Sequence, residues 1–242
     1  MIKYIEEEGI IAPLGESVNA DIAITTFSTH LFDELVAKTG AKAIGVMPGS
    51  VEIKVYACEL NGKRVAIYQS PIGAPAAVGA IEEIYAGGVK KVIAFGICGA
   101  LIPTPMHTVI VPTRAYRDEG TSYHYMPTTE YVELTNSGFV QSALEKNGIK
   151  TVTGGAWTTD GFYRETRTRM SEMKGNGCIC VDMECSALQA AANFRKKEFY
   201  TFFISADSLA GDEWEPNDIL HSKLTDSKAA AVYGAMQLAL LL

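Results

Sequence analysis

Short apolar runs rich in β-branched residues alternate with longer helical patterns along the chain, and this alternation restricts the possible folds most. The runs that predict strands are Asp21–Thr26, Ala43–Met47, Val55–Leu60, Arg64–Gln69, Lys91–Gly96, Thr108–Thr113, Thr151–Thr158, Cys178–Asp182 and Phe199–Ser205. The patterns that predict helices are Ala76–Ala86, Ser137–Lys146, Glu165–Lys174, Glu184–Ala192 and Lys228–Leu242. Strands that alternate with helices are typical of a mostly parallel sheet covered by helices on both faces.

One predicted hairpin adds antiparallel pairing to this sheet. Val55–Leu60 and Arg64–Gln69 are joined by the turn residues Asn61-Gly62-Lys63. No repeat, low-complexity stretch or linker divides the 242 residues. We therefore predict a single domain over residues 1–242, with a three-layer α/β/α architecture around a central mixed β-sheet.

Charge and composition exclude several functional classes. The chain has 21 Lys and Arg against 28 Asp and Glu, a net charge of −7. This balance argues against nucleic-acid and membrane partners, because phosphate groups are held mainly by basic patches. No apolar run reaches the roughly 18 residues of a membrane span, and the first residues lack the layout of a secretory signal. Five cysteines without metal-ligand spacing indicate reduced thiols, so we expect a cytoplasmic protein without a metal site.

Ligands of such sheets bind beyond the carboxyl ends of the strands. One predicted strand ends at Asp182, and Met183 and Glu184 follow it. A carboxylate there can accept hydrogen bonds from the vicinal hydroxyls of a sugar, while the methionine packs on the apolar face of the sugar. The structural alternative is that Asp182 caps the next helix, Met183 belongs to the core and Glu184 lies in the first turn.

A second strand ends in a paired-glycine turn around Cys98, formed by Gly96 and Gly99. Glycines at such a turn allow close approach of the backbone to a ligand, or tight packing of strand against loop. The turn lacks the three glycines and the following acid of a dinucleotide-binding fingerprint.

Aromatic and acidic residues follow two further strands. Phe162 and Tyr163 precede a predicted helix and could stack on a flat heterocycle; Phe162 could equally anchor the loop as a buried side chain. Asp207 follows a buried strand. Partial burial there would raise the pKa of its carboxyl and suit it to general acid catalysis. The structural alternative is that Asp207 caps a helix or a turn. Trp214 follows closely enough to belong to a lid over a bound ligand, or to an exposed loop at an oligomer contact.

In this order and spacing, the segments resemble the nucleoside phosphorylase superfamily of the purine nucleoside phosphorylase and uridine phosphorylase type. The resemblance covers nearly the whole chain from about Glu52 and includes 118–125, Asp-Glu-Gly-Thr-Ser-Tyr-His-Tyr. It implies a phosphorylase/hydrolase-like fold and a homo-oligomer, a dimer or a trimer of dimers. It also implies cleavage of the N-glycosidic bond of a nucleoside, with transfer of the ribosyl group to phosphate or, in the nucleosidase branch, to water. No metal or organic cofactor is implied, and phosphate is a co-substrate.

The resemblance also implies roles for individual residues. Glu184 would hold the ribose 2′- and 3′-hydroxyls, Met183 would pack beneath the sugar, and Phe162 would stack on the base. The backbone around Gly96 and Cys98 would lie beside base and sugar. The predicted substrate-binding residues are Gly96, Cys98, His124, Phe162, Tyr163, Asp182, Met183 and Glu184.

Asp207 is the predicted catalytic residue, because it matches the acid that protonates or hydrogen-bonds N7 of the leaving base in purine-specific members. Uridine-specific members instead read uracil with a Gln-x-Arg pair shortly after the aromatic segment. The matching stretch, Arg164–Arg169, contains no glutamine. We therefore expect a purine nucleoside as the substrate.

The phosphate-binding residues of the family are missing. Where the family has a Gly-Asp-Pro turn followed by an arginine, this chain has Thr25–His30. The position of a second family arginine falls at about Ala94, and that of a third falls near Val51. Charge-assisted bonds contribute on the order of 1.5–3 kcal/mol each, so three absences weaken phosphate binding strongly. The candidates for a replacement phosphate site are His30, Lys54 and Arg117, and His221 and Lys223 are candidates for a basic residue after the catalytic acid.

The nucleosidase branch does not fit the first loop either. Its members activate water with a glutamate there, but no acid occurs between Ile22 and Phe32. His30 is the titratable candidate in that loop, as a general base or as a solvated residue at a helix start. Three hypotheses remain open: a phosphorylase that releases the base and ribose 1-phosphate, a hydrolytic nucleosidase, and a non-catalytic nucleoside-binding homologue.

Overall fold

The computed structural model describes residues 3–47, 52–211, 213–216 and 226–242. Val51, His221 and Lys223, named above as aligned or candidate positions, lie outside the described residues. The strands are β1 (Ile22–Thr26), β2 (Lys42–Met47), β3 (Ile53–Leu60), β4 (Lys63–Gln69), β5 (Lys91–Ala100), β6 (Val109–Asp118), β7 (Tyr131–Glu133), β8 (Thr151–Thr159), β9 (Cys178–Asp182) and β10 (Glu198–Ser208). The helices are α1 (Thr29–Thr39), α2 (Ala74–Ala86), α3 (Ser122–Tyr125), α4 (Ser137–Lys146), α5 (Arg167–Gly175), α6 (Cys185–Phe194) and α7 (Asp226–Leu241).

All strands of the described chain belong to one mixed sheet, and β5 is its central strand. β5 pairs parallel with β1 and β10 and, through its last residues, antiparallel with β9. β10 continues antiparallel to β6, which pairs parallel with β8, and β8 pairs parallel with β9. These strands therefore close into a ring, while β1, β4, β3 and β2 extend from β5 as an open sheet.

Helices cover both faces of the sheet, which confirms the predicted three-layer α/β/α architecture. On one face, Ile81 of α2 and Leu188 of α6 lie in a single buried cluster with side chains of the strands. On the other face, Leu35 of α1, Leu144 of α4 and Leu238 of α7 lie in a second cluster. The alternation of strand and helix in sequence produces this arrangement because each crossover places its helix on a face of the sheet.

Several element boundaries differ from the prediction. The sequence pattern ends β5 at Gly96, but the strand continues to Ala100, because Gly99 and Ala100 pair with Val181 and Cys180 of β9. A tertiary pairing of this kind leaves no local pattern in the sequence. The pattern also begins α5 at Glu165, whereas the helix begins at Arg167, since its N-cap is the preceding threonine.

Helix α1 has no counterpart among the predicted helices, and the sequence indicated it only through the alternative that His30 lies at a helix start. Its buried side chains are Leu31 and Leu35, one turn apart, and its first turn contains no acidic residue and no side-chain cap. The helix is therefore stabilised mainly by packing on the sheet rather than by local sequence preferences. It ends at Gly40, which adopts φ 62°, the left-handed conformation that favours glycine.

The five cysteines are buried and free. Cys178 and Cys180, which flank a single residue of β9, both pack in the interior. Within the part of the chain that the structure describes, no helix combines the length and apolarity needed to cross a membrane.

We expect Phe95→Ala to lower the free energy of unfolding by about 3–5 kcal/mol, because Phe95 is fully buried and its ring stacks on Phe202 at a centroid distance of 5.6 Å. Denaturant unfolding of the variant measures this change. The control is Phe139→Ala, which removes a ring that is 40% exposed and should cost less than about 1.5 kcal/mol. Equal losses in the two variants would contradict the prediction.

Candidate active site

A cavity of about 390 Å³ opens where β5, β9 and β10 end. It is larger than a ribose ring and comparable to the sites that hold small molecules. The residues that line it are Phe27, Ile72, Ile97, Cys98, Gly99, Phe162, Glu165, Val181, Asp182, Met183, Glu184 and Asp207. The cavity thus brings together six of the predicted site residues from strands that are distant in sequence.

A bulge in β10 sets the position of Asp207. Ser205 pairs with Cys98 and Asp207 pairs with Gly99, so Ala206 is an extra residue in the strand. A bulge bends the strand and redirects the side chain that follows it. A Cβ atom at position 99 would approach Val181 Cγ1 to 2.9 Å and Asp207 Oδ1 to 3.4 Å, so a glycine is needed beside the acid.

Asp207 is 5% exposed and is held by one hydrogen bond from the following loop. The indole Nε1 of Trp214 donates to Asp207 Oδ2 at 2.8 Å. Burial raises the pKa of the Asp207 carboxyl above its ordinary value, and the hydrogen bond from Trp214 opposes this shift in part. A carboxyl of raised pKa at the wall of a ligand-sized cavity can act as a general acid.

Glu184 lies at the start of α6 and is 6% exposed. Its Oε1 accepts a hydrogen bond of 2.7 Å from the backbone N–H of Gly73, which adopts φ 94° before α2. Burial and the neighbouring Asp182 raise the pKa of Glu184 to about 8. This side chain is therefore a buried carboxyl that a ligand hydroxyl can reach through the cavity.

Asp182 lines the cavity, but its oxygens are engaged inside the fold. Oδ2 accepts hydrogen bonds from the backbone N–H groups of Glu184 at 2.9 Å and Cys185 at 2.6 Å, and Oδ1 accepts one from Thr158 Oγ1 at 2.8 Å. Burial raises its pKa to about 6. Asp182 therefore satisfies the first backbone donors of α6 and orients Glu184, which is the capping role given above as its structural alternative.

Phe162 and Tyr163 occupy different environments. Phe162 lines the cavity and is 39% exposed, whereas Tyr163 is 92% exposed. The Tyr163 ring contacts the Phe162 ring edge-on at a centroid distance of 4.7 Å. Phe162 can therefore face a ligand directly, whereas Tyr163, also predicted to bind substrate, is not among the residues that line the cavity.

Glu165 also lines the cavity, although the sequence did not identify it as a site residue. Burial and the neighbouring Asp207 raise its pKa to about 7. Phe162–Arg164 form a 3₁₀ turn, in which residues three apart lie on the same side. The spacing from Phe162 to Glu165 is the sequence signal for this position, although it carries meaning only once the turn type is known.

Phe27 is a second wall residue that the sequence did not reveal. A Cβ atom at position 96 would approach Phe27 Cδ2 to 3.0 Å. Gly96, predicted to lie beside the substrate, therefore makes room for the Phe27 ring, and that ring lines the cavity instead. Cys98 lies on the cavity wall and is almost fully buried.

His124 lies on α3 and lines a neighbouring groove of about 760 Å³. That groove also contacts Gly120, Asp160 and the N-terminal segment. The structure therefore does not bring His124 to the cavity that contains Asp207 and Glu184.

The candidate phosphate-binding cations do not meet at the cavity. His30 and Lys54 are exposed. Arg117 is 5% exposed, and its guanidinium donates to Ser122 Oγ at 2.8 Å and to the Pro127 carbonyl at 2.7 Å. Of the residues that the structure describes, no lysine, arginine or histidine lines the cavity, whose charged groups are all carboxyls.

Comparisons with known proteins match most of the chain. A family model described as "Phosphorylase superfamily" matches residues 21–241. A "Purine nucleoside phosphorylase DeoD-type" of Bacillus cereus is 27% identical over 159 residues, which cover 63% of this chain and 68% of the relative. The proteins of the same name from Bacillus thuringiensis (strain Al Hakam) and Bacillus mycoides (strain KBAB4) have the same identity and coverage.

The buried carboxyls predict that the ligand-free protein loses stability as the pH rises. Glu184 and Glu165 hold protons more tightly in the folded than in the unfolded chain. Their stabilising contribution is therefore complete below the unfolded pKa and is lost as the pH rises through the folded pKa, between about 4.5 and 8. We expect denaturant unfolding to show a falling free energy from about pH 5 to pH 8, and a smaller fall in Glu184→Gln. A control change at an exposed site, Glu59→Gln, should leave the slope unchanged; an equally steep slope in Glu184→Gln would contradict the interpretation.

Proposed function

The chain belongs to the phosphorylase superfamily, and we propose that it cleaves the N-glycosidic bond of a purine nucleoside with phosphate, releasing the free base and ribose 1-phosphate. One observation carries the proposal: Asp207, Phe162 and Glu184 line a single cavity of ligand size at the strand ends. Both the family and the names of the relatives from Bacillus support a role in nucleoside chemistry.

Glu184 and Met183 form the sugar end of the proposed site. The oxygens of the Glu184 carboxyl would accept hydrogen bonds from the ribose 2′- and 3′-hydroxyls, and the thioether of Met183 would pack against the sugar. The backbone N–H of Gly73 holds one Glu184 oxygen, and Asp182 holds the start of the helix that carries it. Because Glu184 is held in this way, Glu184 and Met183 would orient the sugar and keep the glycosidic bond aligned for cleavage.

Asp207 and Phe162 form the base end of the proposed site. As the glycosidic bond breaks, the leaving purine gains negative charge, and a proton donor at N7 would stabilise that charge. Asp207 can supply this donor because burial raises its pKa. Trp214 holds the other oxygen of the carboxyl, and the face of Phe162 would stack on the base.

Water is the second candidate for the acceptor, and one observation favours it. No cation of the described residues lines the cavity, whereas Glu165, Asp182, Glu184 and Asp207 all do. A phosphate dianion would meet carboxyls without a compensating charge, and the repulsion between like charges weakens its binding. Neutral water does not incur this repulsion.

Release of free base from a panel of ribonucleosides, with and without phosphate, tests the proposal. Release that depends on phosphate or arsenate would support phosphorolysis. Equal release in phosphate-free buffer would overturn phosphorolysis and establish hydrolysis. Saturable nucleoside binding without release under either condition would overturn both and identify a binding protein.

Asp207→Asn should lower kcat on purine nucleosides by roughly 10²–10⁴-fold with a small change in KM, because an amide of similar shape cannot transfer a proton. Steady-state kinetics of base release measures the effect. Asp33→Asn, which makes the same change on the exposed side of α1, is the control and should match wild type. An unaltered kcat in Asp207→Asn would remove Asp207 as the general acid.

Glu184→Ala should raise KM and lower kcat, each by roughly tenfold, because each hydrogen bond lost to the ribose costs about 0.5–1.5 kcal/mol and the sugar is also less well oriented. The same kinetics on the ribonucleoside and its 2′-deoxy analogue separate the two hydroxyls. The variant should discriminate less between these substrates than wild type does. Unchanged discrimination would place the sugar elsewhere in the cavity.

We also propose that the chain assembles as a homo-oligomer. Large apolar side chains are exposed along the N-terminal segment and on β2, among them Ile10, Ile11, Leu14, Ile44 and Val46. Exposed apolar surface of this kind supports association between protein chains. Light scattering that finds a monomer at assay concentration would contradict the proposal.

A further inference from the structure

The acids of the cavity separate into two pairs. Asp182 is the neighbouring charge that most raises the pKa of Glu184, so these two carboxyls belong together at the start of α6. Asp207 is the neighbouring charge that raises the pKa of Glu165. The second pair stands on the loop that carries Phe162 and on the end of β10, at the base end of the proposed site.

Glu165 has no assigned task in the cleavage described above. Sugar binding uses Glu184, and proton donation uses Asp207. Yet Glu165 lines the same cavity as Phe162 and Asp207 and is only partly exposed. A carboxyl placed beside the ring that would stack on the base can contact the edge of that base.

Resting on the proposed function, we propose that Glu165 and Asp207 act as a carboxyl pair that contacts the N7 and C6 edge of the base, so that the site selects a 6-aminopurine over a 6-oxopurine. Glu165 is then a specificity-determining residue. The proposal stands on the shared cavity wall and on the position of Glu165 three residues after Phe162.

Two carboxyls in a largely apolar cavity do not ionise together readily, because like charges repel and burial disfavours each charge. The groups that face the pair are the indole of Trp214, which donates to Asp207, and the carboxyls of Asp182 and Glu184 across the cavity. No cation of the described residues lines the wall to neutralise a second charge. Burial and this repulsion therefore favour a state in which one carboxyl of the pair is protonated and the other is ionised.

A pair that holds one proton offers one hydrogen-bond donor and one acceptor. The edge of adenine presents an acceptor at N7 beside a donor at the 6-amino group, and this pattern matches the pair. When N9 is substituted, as in a nucleoside, the edge of hypoxanthine presents two acceptors, N7 and O6, so one carboxylate oxygen would face O6 without a proton between them. A site that leaves a polar group unpaired in this way rejects the mismatched ligand.

Equilibrium binding of adenine and hypoxanthine as their 9-methyl derivatives, in which N7 is fixed as an acceptor and no glycosidic bond can break, tests the proposal whether or not the protein is catalytic. Calorimetry near pH 7.5 measures it. We expect wild type to bind adenine at least about tenfold more tightly than hypoxanthine. Equal affinities for the two bases in wild type would overturn the proposal.

Glu165→Gln replaces the carboxyl by an amide of the same shape, which can donate a hydrogen bond to O6 or accept one from the 6-amino group. We expect the preference for adenine to fall to within about threefold, mainly because hypoxanthine binds more tightly. Glu172→Gln makes the same change on α5 at a side chain that is 52% exposed and lies outside the cavity, and it should keep the wild-type preference. A preference in Glu165→Gln as large as in wild type would overturn the proposal.

A pH series on wild type gives the same answer if Glu165→Gln does not fold. Below the apparent pKa of the pair, a second proton converts the pair into two donors, which suit hypoxanthine. The adenine preference should therefore decrease as the pH falls from about 8 to 5.5, and a preference independent of pH would overturn the proposal that one proton on the pair sets the preference.

The outcomes separate this proposal from the proposed function. An intact adenine preference without base release from any nucleoside would overturn the cleavage reaction and support the role of Glu165. Base release together with equal binding of adenine and hypoxanthine would support the cleavage reaction and overturn the role of Glu165.

Discussion

The burial of carboxyl groups at the ends of three strands is the constraint on which the site depends. An ionised carboxyl away from water is costly unless hydrogen bonds or opposite charges compensate it. Asp182 is compensated by two backbone donors and Thr158, Glu184 by the backbone of Gly73, and Asp207 by Trp214. Each acid is thus held by a different part of the chain, so the lining of the cavity depends on tertiary contacts between segments that are distant in sequence.

A bulge in β10 and two glycines of β5 decide which side chains line the cavity. The extra residue in β10 turns Asp207 towards the cavity, and Gly99 leaves room beside the Asp207 side chain. Gly96 leaves room for the ring of Phe27 on the opposite wall. Loss of the bulge, or a side chain at either glycine, would change which side chains line the cavity.

The absence of cations from the described lining connects the acceptor question with base selection. An acid-lined cavity disfavours an anionic acceptor, and it also supplies carboxyls that can read the edge of a purine. Under phosphorolysis, positive charge must come from residues beyond the described lining. Hydrolysis needs no positive charge in the cavity. It needs one further group, which activates the water.

By itself, the sequence determined the α/β layering, the family and the gathering of Cys98, Phe162, Asp182, Met183, Glu184 and Asp207, because alternating periodicity and strand-end motifs are local patterns. Only the tertiary structure decided that β5 reaches Ala100 and that Arg117 is engaged by its own loop. It also decided that Glu165 faces the same cavity as Asp207. Each of these features depends on contacts between residues far apart in the chain or on a single turn of 3₁₀ helix, and such contacts leave no periodic pattern in the sequence.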